Sequence, residues 1–116
     1  MSLSVHLFIK KDTLFIRLKG ELDHHTSIEL RERINILMEE YAITNIVFNM
    51  KELEFMDSSG IGVILGRYNQ VKRLGGVIVL CHLTATIERI VRLSGLYKIV
   101  VITKDEEQAE NYLGVA

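Results

Sequence analysis

The first residues of the chain alternate between apolar and polar. Val5, Leu7 and Ile9 share one face of an extended segment over residues 5–10, and Leu14, Ile16 and Leu18 share one over residues 14–19. A turn at Lys11-Asp12 sets Ile9 against Leu14, Leu7 against Ile16 and Val5 against Leu18, with Phe8 opposite Phe15 on the other face. This is the pattern of a half-buried antiparallel hairpin. Lys-Asp has no glycine to supply positive φ, which favours a loop one residue longer than the tightest turn.

Further along, the alternation gives way to short continuous runs. Ile46-Val47-Phe48, Val77-Ile78-Val79-Leu80 and Ile99-Val100-Val101-Ile102 are rich in β-branched residues. Such runs suit parallel strands covered on both faces. Helical stripes separate them. Leu30, Ile34, Leu37, Met38 and Tyr41 make one, entered through a capping box at Thr26-x-x-Glu29. Ile61, Ile64, Leu65, Tyr68 and Val71 make a second, ending at Gly75-Gly76. Ile87, Ile90, Val91 and Ser94 make a third, capped by Thr84 and stopped by Gly95. Asp105-x-x-Gln108 opens a last short helix, with Glu106 and Glu107 at the positive end of its dipole.

The order is β-β-α-β-α-β-α-β-α. It predicts an α/β fold in which residues 1–116 form one domain. The sheet is mixed and mostly parallel, with about five strands, an N-terminal antiparallel hairpin and about four helices.

Composition narrows the function. The 116 residues carry 14 Lys plus Arg and 15 Asp plus Glu, a formal net charge of −1. That balance argues against a dedicated nucleic-acid binder, which needs an excess of cations to neutralise phosphates. The longest apolar stretch, Val77 to Cys81, is far short of the roughly 20 residues that span a bilayer. The start of the chain has no basic segment before its apolar residues and no small-residue cleavage site after them, so no membrane association is expected. The one cysteine, Cys81, has no internal partner, and a reducing cytoplasmic location fits. Its expected role is that of a small buried apolar residue at a strand end.

Candidate chemistry concentrates in one segment, Lys51 to Gly66, which runs from a central strand into a helix. Carboxyl ends of strands are where open α/β sheets usually place their function. Ser58, or else Ser59, is expected to cap that helix. Capping explains one serine but not the three glycines that follow. Gly60, Gly62 and Gly66 each weaken a helix by about 1 kcal/mol relative to alanine. Gly62 and Gly66 are four residues apart and share a face, turned away from Ile61, Ile64 and Leu65. Stripped of side chains, that face is either packed tightly against the domain's own loops or is a docking surface for another macromolecule.

Catalytic readings fit less well. Gly60-x-Gly62-x-x-x-Gly66 has the wrong last spacing for a dinucleotide fingerprint. The link from the strand reads as long, and Cys81-His82 stand where an acidic residue should end the next strand. A nucleophile elbow needs glycine two residues before the serine, where Met56 stands before Ser58. His24, His25 and His82 are candidate bases for a hydrolase. Asp23-His24-His25 is a weak metal pattern, because adjacent histidines on a loop point apart. No cofactor or metal is expected. A serine at a helix start also suits modification by another enzyme, since free N–H groups and the dipole stabilise a phosphoryl group while Asp57 repels it.

Asp57-Ser58-Ser59-Gly60, preceded by Phe55-Met56 and followed by Ile61-Gly62, resembles the phosphorylation motif of bacterial anti-sigma factor antagonists, which are stand-alone STAS domains. Gly20-Glu21-Leu22-Asp23 is similar to the family's motif after its second strand, and Gly62-Val63-Ile64-Leu65-Gly66-Arg67-Tyr68 to the sporulation branch of the sigma factor F system. The resemblance implies a partner switch. The unphosphorylated antagonist binds an anti-sigma factor that is also a serine kinase, and so frees the sigma factor. The kinase uses ATP and Mg²⁺ to phosphorylate Ser58, and a metal-dependent serine phosphatase resets it. The chain is then a ligand and substrate rather than an enzyme, and a monomer when free. Asp23, Asp57, Ser58, Ser59, Gly60, Gly62 and Gly66 are the expected partner contacts, with Asp23 near the kinase's nucleotide pocket. A STAS-type small-ligand or scaffold module, and a serine hydrolase, are the alternatives. Phosphorylation is expected to leave the fold alone and spoil one surface.

Overall fold

A computed structural model describes residues 2–116. Strand β1 (Leu3–Lys10) pairs antiparallel with β2 (Thr13–Leu22) in the register read from the alternation, with Ile9 opposite Leu14 and Phe8 opposite Phe15. The loop is the two-residue turn after all, because Lys10 pairs with Thr13. Lys11 takes the positive φ itself, at 53°. Bonds to Asp12 offset that strain: its carbonyl accepts from the Thr44 and Asn45 N–H groups at 2.8 and 3.2 Å, and its carboxylate from the Thr44 hydroxyl at 2.9 Å.

The other elements follow in chain order: helix α1 (His24–Glu40), β3 (Asn45–Met56), α2 (Ser58–Arg73), β4 (Ile78–Cys81), α3 (Ala85–Leu93), β5 (Val101–Thr103) and α4 (Glu106–Leu113). The strands lie side by side in the order β1-β2-β3-β4-β5, and every pair after the hairpin is parallel. One face of the sheet, with Leu14, Ile16, Ile46, Phe48, Ile78 and Leu80, packs on Leu30 and Ile34 of α1, Ile64 and Val71 of α2, and Ile87 and Val91 of α3. The other face, with Phe15, Val47, Val79 and Cys81, packs on Ala109 of α4. Among the described residues no helix is long and apolar enough to cross a membrane.

Four local expectations change. Strand β3 does not stop at Phe48 but runs to Met56, so residues 51–56 are strand rather than loop. Two bulges explain why its pattern hid it. Arg17 and Lys19 of β2 face Asn49 and Glu52, and Gly20 and Glu21 face Leu53 and Phe55, so β3 carries one extra residue at each step. Its buried residues, Met50, Leu53 and Met56, therefore fall every third position instead of every second. Gly20 permits this at φ 109°, where an added Cβ would lie 2.4 Å from the Ser2 carbonyl oxygen.

At α1 the cap is Asp23, not Thr26, and the helix starts earlier, taking His24 and His25 out of the loop. Tyr41 ends the helix exposed rather than joining its core stripe. The Ile99–Ile102 run yields only a short strand, because Leu96–Lys98 form a turn of 3₁₀ helix first and Val100 enters the core from the irregular link. In α2, Leu65 is 44% exposed, and Val63 takes its place in the core. The caps of α3 at Thr84 and α4 at Asp105, and the left-handed stop at Gly95, are as the sequence suggested.

Candidate functional site

The site is built where β2 and β3 end. Leu22 pairs with Met56, so the next residues, Asp23 and Asp57, emerge side by side from adjacent strands. The Asp57 N–H donates to the Leu22 carbonyl at 3.3 Å and ties the two exits together. Each aspartate then caps a helix, and α1 and α2 start as neighbours with their positive dipole ends at the same rim.

Asp23 is held on every side. Its carboxylate accepts from the His25 and Thr26 N–H groups at 3.0 Å each, and its own N–H donates to the Thr26 hydroxyl at 2.9 Å. The Thr26 hydroxyl in turn donates to the Glu21 carbonyl at 2.8 Å. The hydrogen bond from the Thr26 N–H, helped by the Thr26 hydroxyl and His25, outweighs desolvation and holds the Asp23 carboxyl below the usual carboxylate range. Only 6% of Asp23 is exposed.

Asp57, and neither serine, caps α2: its carboxylate accepts from the Ser59 N–H at 2.8 Å. Carboxylate oxygens reach the second helical N–H readily, which leaves Ser58 free at the first helical position. Ser58 is exposed, whereas Ser59 is partly covered. The connection from strand to helix is thus one residue long, not the long link the sequence suggested.

The three glycines divide into two roles. Gly60 is buried, and a Cβ there would lie 2.5 Å from Met56 Cγ and 2.9 Å from Leu22 Cγ. Its missing side chain serves the close approach of α2 to the ends of β2 and β3, so Gly60 is not part of an exposed face. Around Gly62 and Gly66 there is no atom within 4 Å of an added Cβ. These two open a bare surface beside Ser58. Ser58, Gly62, Leu65 and Asn69, spaced four, three and four apart, form the exposed stripe of α2. Leu65 is the apolar residue standing on it. Sequence reasoning placed Leu65 in the core; its spacing of seven from Ser58 was the available signal.

The remaining candidates stand elsewhere. His24 and His25 lie exposed on the first turn of α1, with ring centroids 5.8 Å apart. Among the described residues no hydrogen bond joins a serine hydroxyl to an imidazole. Cys81 is fully buried, and burial pushes its thiol up to about 12. On the far face Arg17 donates to both Glu106 carboxylate oxygens at 2.8 Å, and Asn49 Nδ2 adds a bond at 2.6 Å. The Arg17 guanidinium, more than Asn49, holds the Glu106 carboxyl below its ordinary value against partial burial. This cluster pins α4 to the sheet.

The STAS domain family matches residues 5–109. A Paenibacillus polymyxa protein named anti-sigma F factor antagonist is 39% identical over 115 residues, which are 99% of this chain and 98% of that protein. The structure of the anti-sigma factor antagonist SpoIIAA in its unphosphorylated form superposes with a TM-score of 0.84 at 32% identity, covering 97% of this chain and 99% of that one. The phosphorylated form of the Bacillus cell fate determinant SpoIIAA gives 0.75 at 33% identity, covering 94% and 99%. With its capped serine and bare helix face, the chain belongs to the STAS domain family, among the anti-sigma factor antagonists.

Proposed function

We propose that this chain is an anti-sigma factor antagonist of the sporulation type, switched by phosphorylation of Ser58. Unphosphorylated, the stripe of Ser58, Gly62 and Leu65, with Gly66 beside it, docks on an anti-sigma factor that is also a serine kinase, and the sigma factor is released. The Ser58 hydroxyl then attacks the γ-phosphorus of the kinase's Mg²⁺-bound ATP. A new P–O bond forms, ADP departs, and the hydroxyl proton passes to a base of the kinase. The phosphorylated chain leaves the complex, and a metal-dependent serine phosphatase returns it to the binding form.

The chain acts as ligand and substrate and supplies no catalytic group. Residues 1–116 work as one STAS domain, a cytoplasmic monomer when free. Asp23 and Asp57 hold the two helix ends that flank Ser58, Asp23 through its cap rather than as a free carboxylate. Ser59, with its N–H committed to Asp57, is a rim contact.

The observation that carries this reading is the exposure of Ser58 at the first position of α2, beside the open surface at Gly62 and Gly66. The test is size-exclusion chromatography with the cognate anti-sigma factor, then addition of ATP and Mg²⁺ and peptide mass spectrometry. The complex should form, then dissolve as one phosphate appears on Ser58. Ser58→Ala should hold the complex in ATP. Phosphate mainly on Ser59 would overturn the site, and no complex at all would overturn the function.

A further inference from the structure

Arg67 has no evident work in the free chain. It lies on α2, one residue after Gly66, and only 6% of it is exposed. Two of its guanidinium nitrogens, Nε and Nη1, are sealed from solvent with no hydrogen-bond partner. Gln70 Nε2 donates to Asn35 Oδ1 at 3.3 Å one turn further along both helices, so Arg67 faces α1 near Arg31. Arg31 is exposed and of like charge, and it joins burial in depressing the Arg67 pKa. Among the described residues, no carboxylate lies within 4.0 Å of either guanidinium. The hydroxyl of Ser27, on the α1 turn before Arg31, is sealed without a partner as well.

A guanidinium stays charged in proteins and carries five donors. Burying one beside another cation, with no anion, works against the monomer. Arginine also offers a planar fork that matches a carboxylate with two parallel bonds. The space above it is clear on the outward side, since Gly62 and Gly66 carry no side chains and open the groove edge.

Building on the antagonist reading above, we infer that Arg67, with Arg31 at the rim, is a carboxylate receptor: an Asp or Glu side chain of the docked anti-sigma factor enters between α1 and α2 and pairs with the Arg67 guanidinium. Two observations select a protein carboxylate as the occupant. The charge left uncompensated is positive, and it is continuous with the docking stripe. Glycine beside the receptor then has a second use, as the passage for the incoming acidic side chain.

The experiment compares wild type, Arg67→Met and Arg67→Lys in two assays: urea unfolding of the free chain, and calorimetric titration with the cognate anti-sigma factor. Arg67→Met should unfold at or above the wild-type urea midpoint, since an apolar side chain of similar length replaces an unpaired buried charge. Its dissociation constant should rise about thirtyfold or more, as for loss of one partner of a buried charge pair. Arg67→Lys should recover only part of the affinity, because an ammonium lacks the fork. An acid-to-alanine scan of the anti-sigma factor should contain one position whose loss costs little once Arg67 is Met.

Unaltered affinity in Arg67→Met would overturn the inference and leave the antagonist reading standing. So would a marked fall in its unfolding midpoint, restored in Arg67→Lys, because the guanidinium would then serve the monomer. If Arg67→Met does not fold, Arg67→Lys decides: wild-type affinity overturns the inference, and weakened affinity with an unchanged midpoint supports it. Failure of the wild-type chain to bind would remove the antagonist reading itself and this inference with it.

Discussion

Gly60 and Gly62 stand two residues apart on one helix, yet alanine should move stability in opposite directions at the two. At Gly62 the added methyl meets nothing within 4 Å. The change there is the helix propensity gained, about 1 kcal/mol, which corresponds to a rise of about 4 °C in Tm for a domain of this size. Gly66→Ala should act alike, for the same reason. At Gly60 the methyl would lie 2.5 Å from Met56 Cγ and 2.9 Å from Leu22 Cγ. Those side chains are 2% and 0% exposed, so neither can swing aside into solvent. Overpacking of this kind costs about 1–3 kcal/mol, and the propensity gain is smaller in the first turn of a helix than in its interior.

The net expectation for Gly60→Ala is therefore a loss of about 1–2 kcal/mol. Urea unfolding followed by circular dichroism would measure both variants, and a shared slope would confirm that the midpoints compare like with like. A loss of stability in Gly62→Ala would sink the argument, because the bare face would then be serving internal packing. A neutral Gly60→Ala would show that the ends of β2 and β3 give way easily. The same logic extends to binding. Gly62→Leu should keep the fold and weaken the complex with the anti-sigma factor, since the new side chain stands on the docking stripe.

Other expectations follow from single groups. Asp57→Ala should cost about 1 kcal/mol by leaving the Ser59 N–H uncapped, read from the same urea curves. The Glu106 carboxyl is held below its ordinary value in the folded chain, so its contribution is complete above the unfolded value of about 4.3 and is lost as pH falls through the folded one. Glu106→Gln should therefore be less stable at neutral pH and show a shallower acid limb; an acid limb as steep as wild type would discount the Arg17 pairing. Cys81 should resist a thiol reagent at pH 8 in the folded chain and react at once in denaturant, since its thiol titrates at about 12 and is fully buried. Rapid labelling of the native protein would contradict that burial.

The parts that were legible in the sequence are those in which one residue pattern has one physical meaning. The hairpin register followed from alternation, because one face of β1 and β2 meets the core and a slip would expose it. The caps at Thr84 and Asp105 followed from side-chain chemistry at known offsets. What stayed hidden depended on partners distant in sequence. The second half of β3 repeats every three residues because bulges against β2 insert extra residues, which no local period reveals. Asp23 displaces Thr26 as the cap because its carboxylate accepts two N–H groups where a hydroxyl would take one. Leu65 and Arg67 exchanged their expected places for a related reason. The helix is flanked by α1 on one side and open on another, so an arginine facing α1 is buried while a leucine facing outward is not. Composition alone assigns the leucine to the core and the arginine to solvent.

The same geometry decides how a phosphate on Ser58 can act. The exposed hydroxyl sits on the first turn of α2, where the Asp57 carboxylate has taken only the Ser59 N–H. A group of charge about −1.5 to −2 finds donors and a favourable dipole there. Asp57 opposes it, but at a wet surface that repulsion is on the order of 1 kcal/mol. It acts on a helix held by the buried Val63, Ile64 and Val71 and tied through the Asp57 N–H to the Leu22 carbonyl. Nothing in that balance melts the helix or moves the sheet. The chain's likeness to SpoIIAA in both its unphosphorylated and phosphorylated forms, at TM-scores of 0.84 and 0.75, agrees with one fold serving both states. The charge matters only once a partner covers it. Inside a docked interface the phosphate loses water, and like-charged groups across from it can cost several kcal/mol, about a thousandfold in affinity. The switch therefore needs no second conformation of this chain: a serine held at a helix end beside a bare face makes the partner's surface the place where the charge is felt.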